Sequence, residues 1–208
     1  MIVLTALLTA SPDPQRRKRW VCDPRIVDTL ARSVVARGHE LIVVHDEPPV
    51  TRPRIGEWVR VVAQHPNPYF ARWFAYRDTI TSAIDGEQVW CVDGSDVELL
   101  HDPAPVELAC GAEPSTVGTE PWMAQHHPTT ALLDPSCRLL NAGILGGPAL
   151  RVRSLAADIA DAANTTDLTD MAVFNLVLAD HMPLFDEPVH TVYKAFEHDH
   201  PAAWWRHK

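Results

Sequence analysis

Short apolar runs alternate with helix-like stretches through the first half of the chain, and this order constrains the fold more than any other feature. Runs with the length and composition of buried strands cover residues 2–9, 40–45, 58–63 and 88–92. A helix is predicted after the first run, because Asp23 suits its N-cap, Pro24 its first turn and Gly38 its end. Asn67 and Pro68 begin a second helix. Such alternation favours an α/β fold with a mainly parallel central sheet flanked by helices.

The second half of the chain is less regular. Residues 102–135 are rich in proline, glycine and threonine and have no clear period, so we expect a loop region over a site, with an edge strand as an option. Helices are predicted at residues 154–163 and 167–179, and a late strand at 189–196. The length of 208 residues, of which 46% are hydrophobic and 22% charged, favours a single globular domain.

The apolar run at residues 2–9 is too short to span a bilayer, and its basic cluster follows it. A secretory signal has the opposite order, so we expect a first buried strand, no membrane partner and a cytoplasmic location. The four cysteines are widely spaced and form no C-x-x-C pair, which favours free thiols over disulfides or a zinc site.

A formal net charge of −9 disfavours broad nucleic-acid binding, because the surface as a whole repels phosphate. The basic run at residues 16–19, Arg-Arg-Lys-Arg, is a local exception. In one interpretation this run faces a single anionic group, and in the other it is a solvated loop.

Two carboxylates follow directly after the apolar strand at residues 88–92. Asp93 and Asp96 are separated by two small residues, Gly94 and Ser95, so burial of the strand brings both acids to its carboxyl end. Carboxylates in such a turn suit a hard divalent cation that bridges protein and phosphate oxygens. The alternative is an Asp-Gly turn whose second acid is solvated.

Four segments occur in a fixed order along the chain, at residues 69–73, 88–97, 140–147 and 168–175. They resemble the helix with a donor-binding arginine, the acidic metal motif, the Asn-Ala-Gly segment and the acidic helix start of GT-A glycosyltransferases. The third segment is similar to that of retaining enzymes related to the glycogenin and bacterial galactosyltransferase family. One departure is the Asp-x-x-Asp spacing, where the family has Asp-x-Asp.

The resemblance implies a single GT-A-type, Rossmann-like domain over residues 1–208. Residues 1–100 would form the nucleotide-binding half, and residues 101–208 the acceptor and sugar half with a C-terminal tail. The implied activity is transfer of a sugar from a nucleoside diphosphate sugar, with UDP favoured, with retention and with Mn²⁺ or Mg²⁺ as cofactor. The acceptor stays open among a protein, a glycan, a small molecule and modified DNA.

Roles for the first half follow from the same resemblance. Arg72 would contact the donor's phosphates or sugar, or else be an ordinary surface arginine. Asp93 would bind the ribose or the metal, and Asp96 the metal. The end of the first strand, including Thr9 and Ala10, would meet the nucleoside base, and Asp46 would contact the base or ribose.

In the second half, Asn141 and Asp170 are the implied catalytic residues. Asn141, Gly143 and Gly146 would border the donor, or else belong to a strand followed by a Gly-Gly turn. Asp170 would bind sugar hydroxyls or stabilise the transition state, or else only stabilise the start of its helix.

The tail carries further candidates for the site. His207 is the first choice for a metal ligand, followed by His200 and His198, and Lys208 would contact the diphosphate. The other interpretation is a tail that takes no part in the site.

Two rival functions remain at this point. A catalytically silent sugar-nucleotide or carbohydrate-binding module would draw on the same acids. A sugar-nucleotide pyrophosphorylase is less favoured, because its glycine-rich phosphate loop after the first strand is replaced here by Ser-Pro-Asp-Pro at residues 11–14.

Overall fold

The computed structural model describes residues 1–81, 84, 86–126, 134–179, 191–193 and 203–207. The strands in these ranges are β1 (Ile2–Leu7), β2 (Glu40–His45), β3 (Glu57–Arg60), β4 (Gln88–Val92), β5 (Val97–Leu99), β6 (Ala109–Thr116), β7 (Arg138–Pro148), β8 (Thr191–Tyr193) and β9 (Trp205–His207). The α-helices are α1 (Asp28–Ala36), α2 (Pro68–Thr79), α3 (Pro121–His126), α4 (Ala149–Ala163) and α5 (Asp170–Ala179).

The central sheet has six strands in the order β3-β2-β1-β4-β7-β6. Strands β1 to β4 are parallel to their neighbours in this order, whereas β7 runs antiparallel to both β4 and β6. The fold is therefore α/β with a mixed, mostly parallel sheet, as the alternation of elements predicts. The carboxyl ends of β1 and β4 lie side by side at one edge, where parallel sheets bind their ligands.

Helices cover both faces of this sheet. On one face, Leu4 packs in the same apolar cluster as residues of α2, α4 and α5. On the other face, Val3 packs with α1 and with a second sheet of three strands in the order β5-β9-β8. Neighbours in a strand point to opposite faces, so the continuous apolar sequence of β1 buries both of them.

The two helices signalled in the first half begin as their capping residues indicate. Asn67 accepts a hydrogen bond from the backbone amide of Tyr69 at 3.0 Å at the start of α2. Asp23 accepts one from the amide of Arg25, also at 3.0 Å, but this cap opens a 3₁₀ turn at Pro24–Val27 that precedes α1.

Several boundaries differ from the sequence-based predictions. The strand predicted at residues 2–9 ends at Leu7, because hydrogen bonds from the next residues to the side chain of Asp46 turn the chain there. Residues 102–135 are not simply a loop, since they contain β6 at the sheet edge and α3, although residues 127–133 lie outside the described part. The strands β5 and β9 are absent from the prediction, and β7 agrees with the alternative in which Asn141 and Gly143 belong to a strand. Part of the late strand at 189–196 is β8.

The structure also bears on the cysteines and on the question of a membrane-spanning helix. The four cysteines carry free thiols, of which Cys22, Cys91 and Cys110 are buried. In the described ranges, no helix combines the length and the apolar composition that a membrane crossing requires.

Candidate metal and ligand site

A cavity of about 1020 Å³ opens at the carboxyl ends of β1 and β4. Its wall combines the end of β1, the turn after β4, the middle of β7 and the first turns of α2 and α5. His207 of β9 and a hairpin that follows β1 complete it. The sequence-predicted residues that line this cavity are Arg72, Asp93, Asp96, Asn141, Gly143, Asp170 and His207.

Asp93, Asp96 and His207 form a three-residue cluster in this wall. One ligand atom from each lies within 4.8 Å of the others, a spacing that can hold a metal ion. Nε2 of His207 is 3.7 Å from Oδ2 of Asp96 and 3.8 Å from Oδ2 of Asp93. The imidazole is buried, while each carboxylate is about one-third exposed (32% and 33%). The cluster is therefore accessible from the cavity side.

Strand pairing brings the histidine to the two acids. Strand β9 pairs antiparallel with β5, and this register sets His207 opposite Val97, the residue after Asp96. Trp205 of the same strand packs its ring 5.4 Å from that of Trp90 in β4. The apolar contact of the tail with the central sheet thus fixes the position of the imidazole.

Gly143 leaves the room that the cluster occupies. A Cβ at this position would lie 2.5 Å from Cε1 of His207 and 2.7 Å from Oδ2 of Asp93. The backbone amide of Asp93 donates to the carbonyl of Gly143 at 2.9 Å, which extends the pairing of β4 with β7 by one residue. A residue without a side chain is needed here because the cluster packs directly on the backbone.

Arg72 connects two acids of the wall. Its Nη1 donates to Oδ1 of Asp93, and its Nη2 donates to Oδ2 of Asp170 at 2.9 Å. Arg72 and Asp170 are each only 7% exposed. The arginine is therefore no surface residue: its planar guanidinium, held between two carboxylates, fixes their relative positions.

Asn141 is held by polar contacts on both sides of its amide. Its Oδ1 accepts from the backbone amide of Gly143 at 2.7 Å, and its Nδ2 donates to Oε1 of Glu113 at 2.7 Å. Asn175 fixes the same strand, since its side chain accepts from the amide of Leu140 and donates to the carbonyl of Leu140, both at 2.9 Å. These contacts give β7 a rigid backbone at the cavity.

Burial and charge shift the acidities of three of these groups. Burial by itself raises the pKa of Asp96, but interaction with the His207 ring outweighs it, so the pKa lies below its ordinary value. Burial by itself lowers the pKa of His207, but Asp96 and Asp93 outweigh it and raise the pKa. Burial raises the pKa of Asp170, and the charge of Arg72 offsets only part of that effect.

Three residues expected at the nucleoside do not line the cavity. Asp46 accepts hydrogen bonds from the backbone amides of Thr9 at 2.8 Å and Ala10 at 3.1 Å. This contact turns the chain after β1 and accounts for the early end of that strand.

Gly146 also lies outside the cavity wall. A Cβ there would overlap the ring of Trp90, so this position serves close packing between β7 and β4. Lys208, His198 and His200 lie outside the described residues.

Asp13 and Tyr69 line the cavity, and Glu113 accepts a hydrogen bond from Asn141, although no site role was predicted for these three from the sequence. Arg16 and Arg17 of the basic run also line it. The basic run at residues 16–19 was a signal for the arginines, but nothing in the sequence distinguishes Glu113 from a surface acid.

No protein-family model and no curated protein sequence matches this chain.

Proposed function

We propose that the chain is a metal-dependent glycosyltransferase of the GT-A type, which moves a sugar from a nucleoside diphosphate sugar, with UDP favoured, to an acceptor. The observation that carries the proposal is the cluster of Asp93, Asp96 and His207 on a large cavity at the carboxyl end of β4. This edge of an α/β sheet is where nucleotides bind, and the segments that resemble the family also contribute Arg72, Asn141 and Asp170 to the cavity.

The donor set fits a divalent cation that also binds phosphate oxygens. Two carboxylates supply the hard oxygen ligands that Mg²⁺ and Mn²⁺ prefer, and an imidazole is better suited to Mn²⁺ than to Mg²⁺. The part of the wall around the cluster is also negatively charged, since Asp93, Asp96 and Asp170 lie beside a single arginine, Arg72. A cation reduces this repulsion, and the open cavity side leaves positions for ligand oxygens.

When bound, such a cation offsets the negative charge that develops on the departing nucleoside diphosphate. The residues of the chain hold the groups around it. Arg72 donates to Oδ1 of Asp93, which leaves Oδ2, the oxygen nearer to His207, for the cluster. Asn141 accepts from the amide of Gly143 and so fixes the part of β7 on which His207 and Asp93 pack.

We further propose transfer with retention. The bond between the anomeric carbon and the diphosphate oxygen breaks, the acceptor oxygen bonds to that carbon on the same face, and its proton passes to the departing diphosphate. Asp170 is a poor covalent nucleophile, because it is buried and already accepts a hydrogen bond from Arg72. Its position suits the binding of a sugar hydroxyl.

The test is a thermal-shift screen of nucleotides and nucleotide sugars with and without Mn²⁺, followed by a turnover assay. A ligand that binds only the folded state raises the melting temperature. We expect a metal-dependent shift with one nucleoside diphosphate sugar, lost in Asp96→Ala, and release of the nucleoside diphosphate on turnover.

Other outcomes would identify the rival functions. A metal-dependent shift without turnover against any acceptor, including water, supports a sugar-nucleotide-binding module. Consumption of pyrophosphate with formation of a nucleoside triphosphate supports a pyrophosphorylase. The absence of any metal-dependent shift contradicts the proposal.

A further inference from the structure

A short hairpin follows β1 and forms one wall of the cavity. Asp13 and Lys18 pair through an antiparallel bridge, in which the amide of Asp13 donates to the carbonyl of Lys18 at 2.8 Å. The four residues between them make the turn, and Arg17 closes it with a φ of +51°. Such a backbone conformation costs a non-glycine residue on the order of 1 kcal/mol. An arginine is present where glycine would fit with less strain.

The hairpin is fixed from inside by Asp13, which is only 4% exposed. Its Oδ1 accepts from the amides of Gln15 and Arg16, both at 2.9 Å, and its Oδ2 accepts from the indole Nε1 of Trp20 at 3.2 Å. Asp13 also hydrogen-bonds the side chain of Tyr69, which lies one turn before Arg72 in α2. The buried carboxylate therefore ties the hairpin to the helix that carries the central arginine of the site.

The four basic residues of the run have different surroundings. Lys18 lies over the Trp20 ring at 4.8 Å, and Arg19 pairs with Glu47 at 2.8 Å. Arg16 and Arg17 line the cavity, and Arg16 also lies over the Trp20 ring at 5.5 Å. Arg16 is 3.7 Å from Asp13, and its side chain is 61% exposed. Among the described residues, no carboxylate forms an ion pair with Arg17.

Two cations on a cavity wall are notable in a chain whose formal net charge is −9. They share this cavity with Asp96 of the metal cluster. The cavity thus has a negative cluster that suits a cation and a positive wall that suits an anion. One phosphorylated ligand fits both parts of the wall if its phosphate contacts the arginines and a cation bridges it to the acids.

We propose that Arg16 and Arg17 form an anion subsite of this cavity, which binds a phosphate group of the ligand. Guanidinium groups bind phosphate oxygens in pairs, and a hairpin braced by a buried carboxylate holds them in place before the ligand arrives. The phosphate belongs either to the diphosphate beside the metal or to a second, phosphorylated substrate. This inference does not require sugar transfer, so it can hold or fail separately from the proposed function.

The experiment titrates the full chain with two anions by isothermal calorimetry in the presence of Mg²⁺. Pyrophosphate stands for the diphosphate, and inorganic phosphate is tested before and after saturation with UDP. In the double variant Arg16→Gln/Arg17→Gln we expect the affinity for at least one anion to fall on the order of tenfold or more. The salt dependence of binding should become shallower, because fewer cations are paired with phosphate.

A matched control removes two arginines elsewhere. Arg25 and Arg32 are highly exposed and pair with Asp23 and Asp28 of their own segment, and neither lines the cavity, so Arg25→Gln/Arg32→Gln makes the same change in net charge elsewhere. We expect its affinities to stay within twofold of the wild type. Equal losses in both double variants would show a general charge effect and overturn the subsite.

Arg17→Gly separates a binding role from a structural one. Glycine relieves the strain at φ +51°, so the melting temperature should be unchanged or higher while anion affinity falls. A purely structural arginine would give lower stability and unchanged affinity.

The two arms also identify the phosphate. A selective loss of pyrophosphate affinity assigns the subsite to the diphosphate, and a loss of phosphate binding to the UDP-filled chain assigns it to a second substrate. Unchanged affinity for both anions in Arg16→Gln/Arg17→Gln, or no binding of either anion by the wild type, overturns the proposal.

Discussion

Nε2 of His207 lies 3.7 Å from Oδ2 of Asp96, although the two residues are far apart in the chain. The contact exists because β9 pairs with β5, directly after the acid. The C-terminal strand β9 thereby adds an imidazole to the two carboxylates that follow β4. Metal binding should depend on both partners, which makes each of them a direct test of the cluster.

Asp96→Asn should weaken Mn²⁺ binding by at least about tenfold. Loss of a residue that only orients a metal ligand already lowers metal affinity by this factor, and loss of a ligand itself should lower it at least as much. Electron paramagnetic resonance of free Mn²⁺ measures this affinity. Asp158→Asn serves as the control, since Asp158 is exposed on α4 and does not line the cavity. Equal affinities in the two variants would exclude Asp96 as a ligand.

Gly143→Ala should weaken metal binding and lower the free energy of unfolding by about 1–3 kcal/mol, because its Cβ would press on His207 and Asp93. Gly111→Ala, on the neighbouring strand β6, is the matched substitution, since its nearest contact would be an ordinary 3.4 Å. Urea denaturation and Mn²⁺ titration report the two effects. Retention of full metal affinity in Gly143→Ala would show that the metal does not bind at Asp93, Asp96 and His207.

Arg72→Met should lower the free energy of unfolding by about 3–5 kcal/mol, because it leaves two acids without their buried cation. Adding Asp170→Asn should recover part of this loss, since one uncompensated charge is then removed. The double-mutant cycle is measured by urea denaturation. Purely additive effects of the two substitutions would mean that the ion pair contributes no coupling energy.

Gly146→Ala should destabilise the fold by about 1–3 kcal/mol, because the added methyl group overlaps the Trp90 ring. The folded fraction should keep the Mn²⁺ affinity of the wild type, since Gly146 does not line the cavity. Chemical denaturation and Mn²⁺ titration below the unfolding transition separate these quantities. If Gly146→Ala were as stable as the wild type but bound Mn²⁺ weakly, the result would instead favour the sequence-based prediction that Gly146 borders the bound donor.

Asp13→Asn should be less stable than the wild type at pH 7, by about 1–2 kcal/mol, because the amide cannot replace both carboxylate oxygens. Burial by itself raises the pKa of Asp13, but hydrogen bonds from Arg16, Trp20 and Tyr69 outweigh it and hold the pKa below 3.8.

The sign of the pH effect follows from that shift. A carboxyl whose pKa is lower in the folded state stabilises the fold above its ordinary pKa, and this contribution is lost as pH falls through the folded-state value. The difference between wild type and Asp13→Asn should therefore be constant from pH 7 to about 5 and shrink below pH 4. Urea denaturation over this range measures it, and a constant difference down to pH 2.5 would contradict the assignment.

The regular part of the fold is readable from the sequence because its signals are local. Caps at Asn67 and helical spacing define α2, and apolar runs define β1, β2 and β4. Strand β7 is different, since it is buried on both faces and contains three glycines and a single β-branched residue, so it lacks the alternation that marks a half-buried strand. Strands β5 and β9 have three residues each, and they are defined by pairing with each other and, for β9, with β8.

The same distinction separates the site residues. Asp93 and Asp96 were identified from local sequence, because acids directly after a buried strand must lie at its end. The contacts of Arg72 with Asp93 and Asp170, and of Glu113 with Asn141, join residues that only the tertiary fold brings together. Asp46 illustrates the converse, since its position after β2 suggested a ligand contact whereas its carboxylate holds backbone amides.

The pairing of β9 with β5 has a consequence for the order of events during biosynthesis. Chains grow at about 5–20 residues per second, so His207 is added on the order of 10 s after Asp96. Until then the turn after β4 has its two carboxylates without the imidazole, and Trp90 lacks the ring of Trp205. A nascent chain arrested before β9 should therefore be a poor binder of the cation, however well the parallel strands have already assembled.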